Sequence, residues 1–191
     1  MDARERASGI KMILMDVDGT LTDGSLLLLP DGEELKSYNV RDGLGIILAR
    51  LAGIKTGIIT GKTSRPLEKR SERLRIDELY QGILDKKKVL LEILDKHGLG
   101  PQQAAYIGDD LGDLEVMQTV GLAGAVADAH PKIKENCHFI SPSSGGKGAV
   151  REFIEFILES QNKWDEISWK VKNLDKIRVL TEKERRPEKE G

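Results

Sequence analysis

The chain has one cysteine, Cys137, among its 191 residues, so no intrachain disulfide can hold it together. Aromatic residues are only 4% of the sequence, and a core built from it has to be mainly aliphatic. No excess of one charge exists: 30 basic residues face 32 acidic ones, a net charge of -2. A nucleic-acid binder usually carries a strong basic excess, and that class is set aside. No apolar run is long enough to span a bilayer, and Met1 to Ser8 alternates charges without an apolar signal core. The three histidines, His97, His130 and His138, are scattered without metal-ligand spacing. A lone cysteine fits a reducing compartment. The expectation is a cytoplasmic protein with no nucleic-acid or membrane partner.

What is present is an alternation. Short apolar runs end at small or acidic residues: Ile10 to Met15 before Asp16, Lys55 to Thr60 before Gly61, Ala104 to Ile107 before Gly108, and Leu122 to Ala127 before Asp128. Such runs read as buried parallel strands. Helical periodicity fills the gaps at about residues 43–53, 64–75, 85–97 and 111–119, with Ser64 and Asp85 as candidate N-caps. Gly148 to Glu159 reads as a further helix. The fold class expected is α/β, a doubly wound parallel sheet of the Rossmann-like kind.

One segment breaks the pattern. Ser25 to Leu29, the turn Pro30-Asp31-Gly32, and Glu34 to Tyr38 read as a β-hairpin directly after the first strand. Four successive leucines, Leu26 to Leu29, put apolar side chains on both faces of that ribbon. Either the hairpin folds onto its own domain or it is an oligomer interface, and the second is the expectation. The chain divides into a domain over residues 1–169 and a charged tail over 170–191, expected to be solvated and mobile.

Open α/β sheets bind ligands at the carboxyl ends of their strands. The first strand delivers Asp16 and Asp18 there, the second Thr60 and Gly61, and a later one Asp109 and Asp110 with Asp113 a helical turn on. Lys86 opens a helix. Each piece alone also fits an ordinary strand end and turn, or a solvated helix face. Together, in this order, they fit phosphoryl transfer through a carboxylate. A dianionic phosphate ester repels a carboxylate nucleophile, so a divalent cation with hard oxygen ligands has to join them. Asp16, Asp109 and the backbone carbonyl of Asp18 can ligate Mg²⁺, and Lys86 can neutralise both nucleophile and phosphoryl oxygens. Thr60 can hold a phosphoryl oxygen. Asp16 is then the nucleophile, and Asp18, two residues on, protonates the leaving group and activates water.

These residues, Asp16-Val17-Asp18-Gly19-Thr20, Ile59-Thr60-Gly61, Lys86 and Gly108-Asp109-Asp110 with Asp113, resemble the haloacid dehalogenase-like phosphohydrolases. The likeness implies the roles above, with Asp110 and Asp113 supporting the metal ligands. Further stretches resemble the 3-deoxy-D-manno-octulosonate 8-phosphate phosphatases within that superfamily. They include Thr22-Asp23-Gly24, Asn39-Val40-Arg41-Asp42-Gly43, Gly61-Lys62, Ala127-Asp128-Ala129-His130-Pro131 and Gly145-Gly146-Lys147-Gly148-Ala149-Val150-Arg151-Glu152, and the likeness runs from about Ile10 to Ile167.

This second resemblance implies a capless enzyme hydrolysing a sugar-acid phosphate in lipopolysaccharide precursor synthesis. It also implies a homotetramer whose hairpins form a central barrel, so that neighbouring subunits help close each site. A substrate pocket is implied around Asn39, Val40, Arg41, Asp42, Gly43 and Gly61, with Lys62, Arg70 and Lys86 near phosphate and carboxylate groups. Lys62 and Lys147 stand where the family often has arginine, and Ile47 where relatives often have a basic residue. Lysine keeps the charge but loses the bidentate fork. A nine-carbon sugar-acid phosphatase, a non-catalytic assembly module of the same fold and a phosphoacceptor receiver domain are the competing readings.

Overall fold

The four residues Met12–Met15 form β1, and all four are fully buried, as a strand covered on both faces requires. The computed structural model describes residues 1–32 and 34–173. Around β1 runs a six-stranded parallel sheet in the order β5-β4-β1-β6-β7-β8. Its other strands are β4 (Lys55–Ile59), β5 (Glu78–Tyr80), β6 (Ala104–Gly108), β7 (Leu122–Ala125) and β8 (Phe139–Ile140). The chain lays β4 and β5 on one side of β1, then returns to lay β6, β7 and β8 on the other. This reversal makes the carboxyl end of β1 the topological switch point, where an open sheet leaves a crevice for ligand. Met15 is in register with Ile58 and Ile107, so β1, β4 and β6 end at a common level.

Helices α1 (Ala3–Ser8), α2 (Val40–Leu51), α7 (Ala149–Ser160) and α8 (Trp164–Lys172) pack together as one layer. Helices α4 (Lys86–Lys96) and α5 (Leu114–Met117) pack against each other and onto β4, β6 and β7. Helix α3 (Arg65–Leu74) follows β4, and α6 (Pro131–Glu135) follows β7. The core is aliphatic, as the scarcity of aromatics demands, with Tyr106 and Phe153 the large rings fully buried in it. Burying each such Leu, Ile or Met contributes about 1.5–3 kcal/mol before entropy is counted.

Several local expectations are refined. Asp85 caps α4, accepting from the Lys88 N–H at 2.9 Å. Ser64 occupies the N-cap position of α3 but its side chain makes no capping bond; its own N–H donates to Gln81 Oε1 at 2.7 Å. The hairpin exists, yet among the described residues only Leu27–Leu28 (β2) pairs with Glu34–Leu35 (β3), as a separate two-stranded sheet. It does not fold onto its own domain: Leu27 and Leu28 are 59% and 66% exposed. Helix α8 carries past the expected domain boundary to Lys172, because Ile167 docks in the core and Trp164 and Val171 pack on it. The rest of the charged tail, from residue 174, lies outside the described residues. Among the described residues no helix is long and apolar enough to cross a membrane.

Candidate active site

The loop after β1 carries Asp16 into the crevice between β4 and β6, where the Asp16 N–H donates to the Ile107 carbonyl at 3.1 Å. Asp16 is only 8% exposed. Lys86, the first residue of α4, meets it there: its Nζ lies 2.8 Å from Asp16 Oδ1 and 2.7 Å from Asp113 Oδ1. The Tyr106 hydroxyl, from the middle of β6, also donates to Asp113 Oδ1 at 2.7 Å. Asp113 Oδ2 accepts from the N–H groups of Asp109 and Asp110 at 3.1 and 3.4 Å. Both Asp113 oxygens are thus committed to protein donors. The residue holds Lys86 and the Asp109 loop in place.

Asp109 leaves the end of β6 and faces the first loop. Thr20, fully buried, donates its hydroxyl to Asp109 Oδ1 at 2.8 Å. Gly19, at φ +91°, brings its Cα against the other carboxylate oxygen; a Cβ there would lie 2.1 Å from Asp109 Oδ2. Glycine is needed at that position for both the backbone angle and the close approach. Asp110 is exposed and caps the short turn that follows, accepting from the Leu111 N–H at 2.8 Å.

Three carboxylates therefore converge, and one oxygen from each of Asp16, Asp109 and Asp113 lies within 4.8 Å of the others. Burial, with Asp113 adding and Lys86 opposing, pushes the Asp16 carboxyl up to about 6. Burial likewise pushes Asp109 up to about 7; the Thr20 bond pulls it down, while Asp16, Asp113 and Asp110 push it further up. Burial disfavours the Lys86 ammonium, but Asp16 and Asp113 outweigh it and hold its pKa above the ordinary value. One ammonium among three carboxylates leaves negative charge uncompensated. A hard divalent cation fits this oxygen-only donor set: Lys86 holds one oxygen of Asp16 and Thr20 one of Asp109, whereas both oxygens of Asp113 are taken.

Asp18 accepts an ion-paired hydrogen bond from Lys36, a residue directly after β3 whose side chain is 3% exposed. Sequence reasoning missed Lys36, Tyr106 and Thr20 as site residues. Thr20 lay within the quoted loop, and Lys36 had no signal beyond its place in the hairpin. Thr60, 2% exposed, is fixed through its backbone: its N–H donates to the Tyr80 carbonyl and its carbonyl accepts from the Ile83 N–H, both at 3.0 Å. Gly61 follows it, and Lys62 is half-exposed with its Nζ 4.0 Å from Glu34 Oε1.

The implied substrate pocket divides. Val40 is 80% exposed and Arg41 is exposed, both open to a ligand. Asn39 caps α2, accepting from the Arg41 N–H at 2.8 Å. The Arg70 guanidinium lies over the Tyr38 ring at 5.9 Å, in the space a side chain at Gly43 would need. Asp42 makes no ion pair with Arg41 among the described residues. It is 1% exposed, and its Oδ1 accepts from the Arg151 N–H at 2.9 Å. Burial raises its pKa, while the N–H groups of Arg151, Gly148 and Val150 draw it back. The structure gives Asp42 to the start of α7, away from the open face that Val40 and Arg41 share.

The comparisons with known proteins meet this geometry. Residues 69–154 match the family model of a haloacid dehalogenase-like hydrolase. The 3-deoxy-D-manno-octulosonate 8-phosphate phosphatase KdsC of Escherichia coli strain K12 is 43% identical over 165 residues, covering 86% of this chain and 88% of that protein. This chain belongs to the 3-deoxy-D-manno-octulosonate 8-phosphate phosphatase family. The crystal structure of the Yersinia pestis phosphatase is similar at a TM-score of 0.84 and 45% identity, covering 86% of this chain and 89% of that one. The Moraxella catarrhalis phosphatase, in complex with magnesium ion, phosphate ion and a KDO molecule, is similar at a TM-score of 0.86 and 36% identity, covering 88% of this chain and 97% of that one.

Proposed function

We propose that this chain hydrolyses 3-deoxy-D-manno-octulosonate 8-phosphate to the free sugar acid and inorganic phosphate, as a Mg²⁺-dependent phosphatase of lipopolysaccharide precursor synthesis. The observation that carries the chemistry is the buried Asp16 carboxylate held by Lys86 beside Asp109 at the switch point of the sheet. Membership of the family supplies the substrate.

An Asp16 oxygen attacks phosphorus as the bond to the sugar oxygen breaks, giving an aspartyl-phosphate. Asp18 hands its proton to the departing alkoxide. It then takes a proton from the water that attacks the aspartyl-phosphate, which releases phosphate and regenerates Asp16. Lys86 stays on Asp16 and offsets charge that grows on the phosphoryl oxygens. Thr60 and Gly61 offer a hydroxyl and a backbone N–H to those oxygens. Asp16, Asp109 and the Asp18 carbonyl, with Asp110 and Asp113 behind them, would hold Mg²⁺, which would supply neutralisation of the negative charge that opposes attack.

Arg41, Lys62 and Arg70 are assigned to the sugar acid, whose carboxylate calls for cations. We further read the protein as cytoplasmic and as a homotetramer. The solvent-facing Leu26, Leu27, Leu28 and Leu35 of the hairpin support an assembly that covers them.

Phosphate release from a panel of sugar phosphates, with and without Mg²⁺, tests the assignment, and the eight-carbon ester is expected to lead the nine-carbon one. Equal turnover of many unrelated esters, or none of this one, overturns it. An Asp16→Asn variant loses turnover; if it kept activity, Asp16 would not be the nucleophile.

A further inference from the structure

Helix α7 begins without a cap of its own. Its N-cap residue is Gly148, which has no side chain to satisfy the first N–H groups of the helix. An N-cap side chain normally accepts from the third helical N–H, which here belongs to Arg151. Asp42, from the first turn of α2, provides that acceptor across the helix pair at 2.9 Å. The cap is supplied in trans, and the carboxylate also meets the positive end of a 12-residue helix.

The segment that enters α7 is the segment that supports the metal-binding loops. Gly145 packs so tightly on Gly19 that a Cβ on it would lie 1.8 Å from the Gly19 carbonyl oxygen. The Gly146 N–H donates to the Thr20 carbonyl at 2.9 Å. Thr20 in turn donates to Asp109 Oδ1. The same segment is held from beneath, since Asp128 Oδ1 accepts from the Gly145 N–H at 2.9 Å. From α2, Asn39 Nδ2 donates to the Gly146 carbonyl at 3.0 Å. Two residues of one sequence stretch, Asn39 and Asp42, thus grip the two ends of the Gly146–Arg151 segment.

We propose that Asp42 and Asn39 are positioning residues for the metal-binding loop, fixing the Gly145–Gly148 segment against Gly19 and Thr20 so that Thr20 is aimed at Asp109. Asp42 contributes to hydrolysis through that segment and not by touching the sugar acid. The inference rests on the reading of Asp109 as a metal ligand.

Mg²⁺ binding to the purified protein, measured by calorimetry with the metal alone, tests it without reference to substrate. Asp42→Ala is expected to weaken Mg²⁺ binding by about threefold or more, less than the roughly tenfold or more usual when a group bonded directly to a metal ligand is removed. Asp42→Asn keeps an acceptor for the Arg151 N–H and is expected to recover most of the affinity. In turnover, the alanine variant loses kcat at limiting Mg²⁺ while KM for the ester stays near its parent value.

A raised KM with Mg²⁺ affinity unchanged would make Asp42 a substrate contact and overturn the inference. Should the alanine variant fail to fold, Asn39→Asp decides. It retains the α2 cap, loses the donor to Gly146, and adds a negative charge that by itself would tighten Mg²⁺. Weaker Mg²⁺ binding supports the inference; equal or tighter binding overturns it. If the parent protein binds no Mg²⁺, the metal reading of the site falls with the inference. If the parent binds and every variant binds equally, the inference falls alone.

Discussion

Replacing Thr20 by valine isolates one bond in the site. Valine has nearly the shape of threonine, and position 20 is fully buried, so packing is conserved while the hydroxyl is lost. What disappears is the 2.8 Å hydrogen bond to Asp109 Oδ1. A hydrogen bond to a charged group is worth about 1.5–3 kcal/mol. At about 1.4 kcal/mol per factor of ten, Mg²⁺ affinity should fall by about 10–100-fold, the range usual when a group behind a metal ligand is removed. The assay is a Mg²⁺ titration of initial rate at saturating ester, paired with a melting curve. The half-saturating Mg²⁺ concentration is expected to rise, with much of the maximal rate recovered at high Mg²⁺ and a folded protein throughout. A half-saturation point within about twofold of the parent would refute the view that Thr20 orients a metal ligand.

Asp16 and Asp109 have folded-state pKa values raised from 3.8 to about 6 and about 7, so the folded protein binds those protons more tightly than the unfolded chain. Their stabilising effect is present at low pH and is lost as pH rises through 6 and 7; the metal-free melting temperature should therefore fall between about pH 5 and 8, and Mg²⁺ should raise it more at pH 8 than at pH 5. A metal-free melting temperature that climbs over that range contradicts the uncompensated acidic cluster. Gly124→Ala places a Cβ 2.7 Å from the Phe153 ring and should cost about 1–3 kcal/mol, at about 2–4 °C of melting temperature per kcal/mol, with Mg²⁺ affinity unchanged. Leu27→Glu with Leu28→Glu should leave a folded monomer by light scattering, because both side chains already face solvent, and should reduce turnover while Mg²⁺ binding persists; an unchanged molecular mass would remove the hairpin from the interface.

Much of the site was legible because its carboxylates sit at strand ends, and strand ends are marked by where an apolar run stops. Met15 to Asp16 and Gly108 to Asp109 are such boundaries, and the parallel register then brings them together. The partners of those carboxylates were harder to read. Tyr106 lies inside β6, where a tyrosine in an apolar run looks like core, and only the three-dimensional path shows its hydroxyl on Asp113. Asp42 was placed with the substrate residues because the family resemblance runs through the whole stretch from Asn39 to Gly43, but on a helix adjacent residues point in different directions, and α7 lies on the side that Asp42 faces. The edge strands β5 and β8, three and two residues long, carry too few positions for a period to register. The hairpin was found from its leucines and turn, but its length was overstated, since pairing without a covering face stops after two residues per strand.

The site is assembled from two mechanically different parts. Asp16, Lys86, Asp109 and Asp113 are tied to one another and to β1, α4 and β6, elements of the buried sheet and its helices. Asp18 differs, because its ion-pair partner Lys36 comes from the foot of the exposed hairpin. Only two residues, Ser37 and Tyr38, separate that lysine from Asn39, the cap of α2. Whatever fixes the hairpin therefore fixes the group paired with Asp18, the proposed acid/base residue, while the bonds that join Asp16, Lys86, Asp109 and Asp113 do not involve the hairpin. A capless phosphatase has no second domain to order its acid/base residue. Here Lys36 of the hairpin pairs with the residue proposed for that role, so on this reading removing the hairpin contacts should separate metal binding, which persists, from proton transfer, which does not.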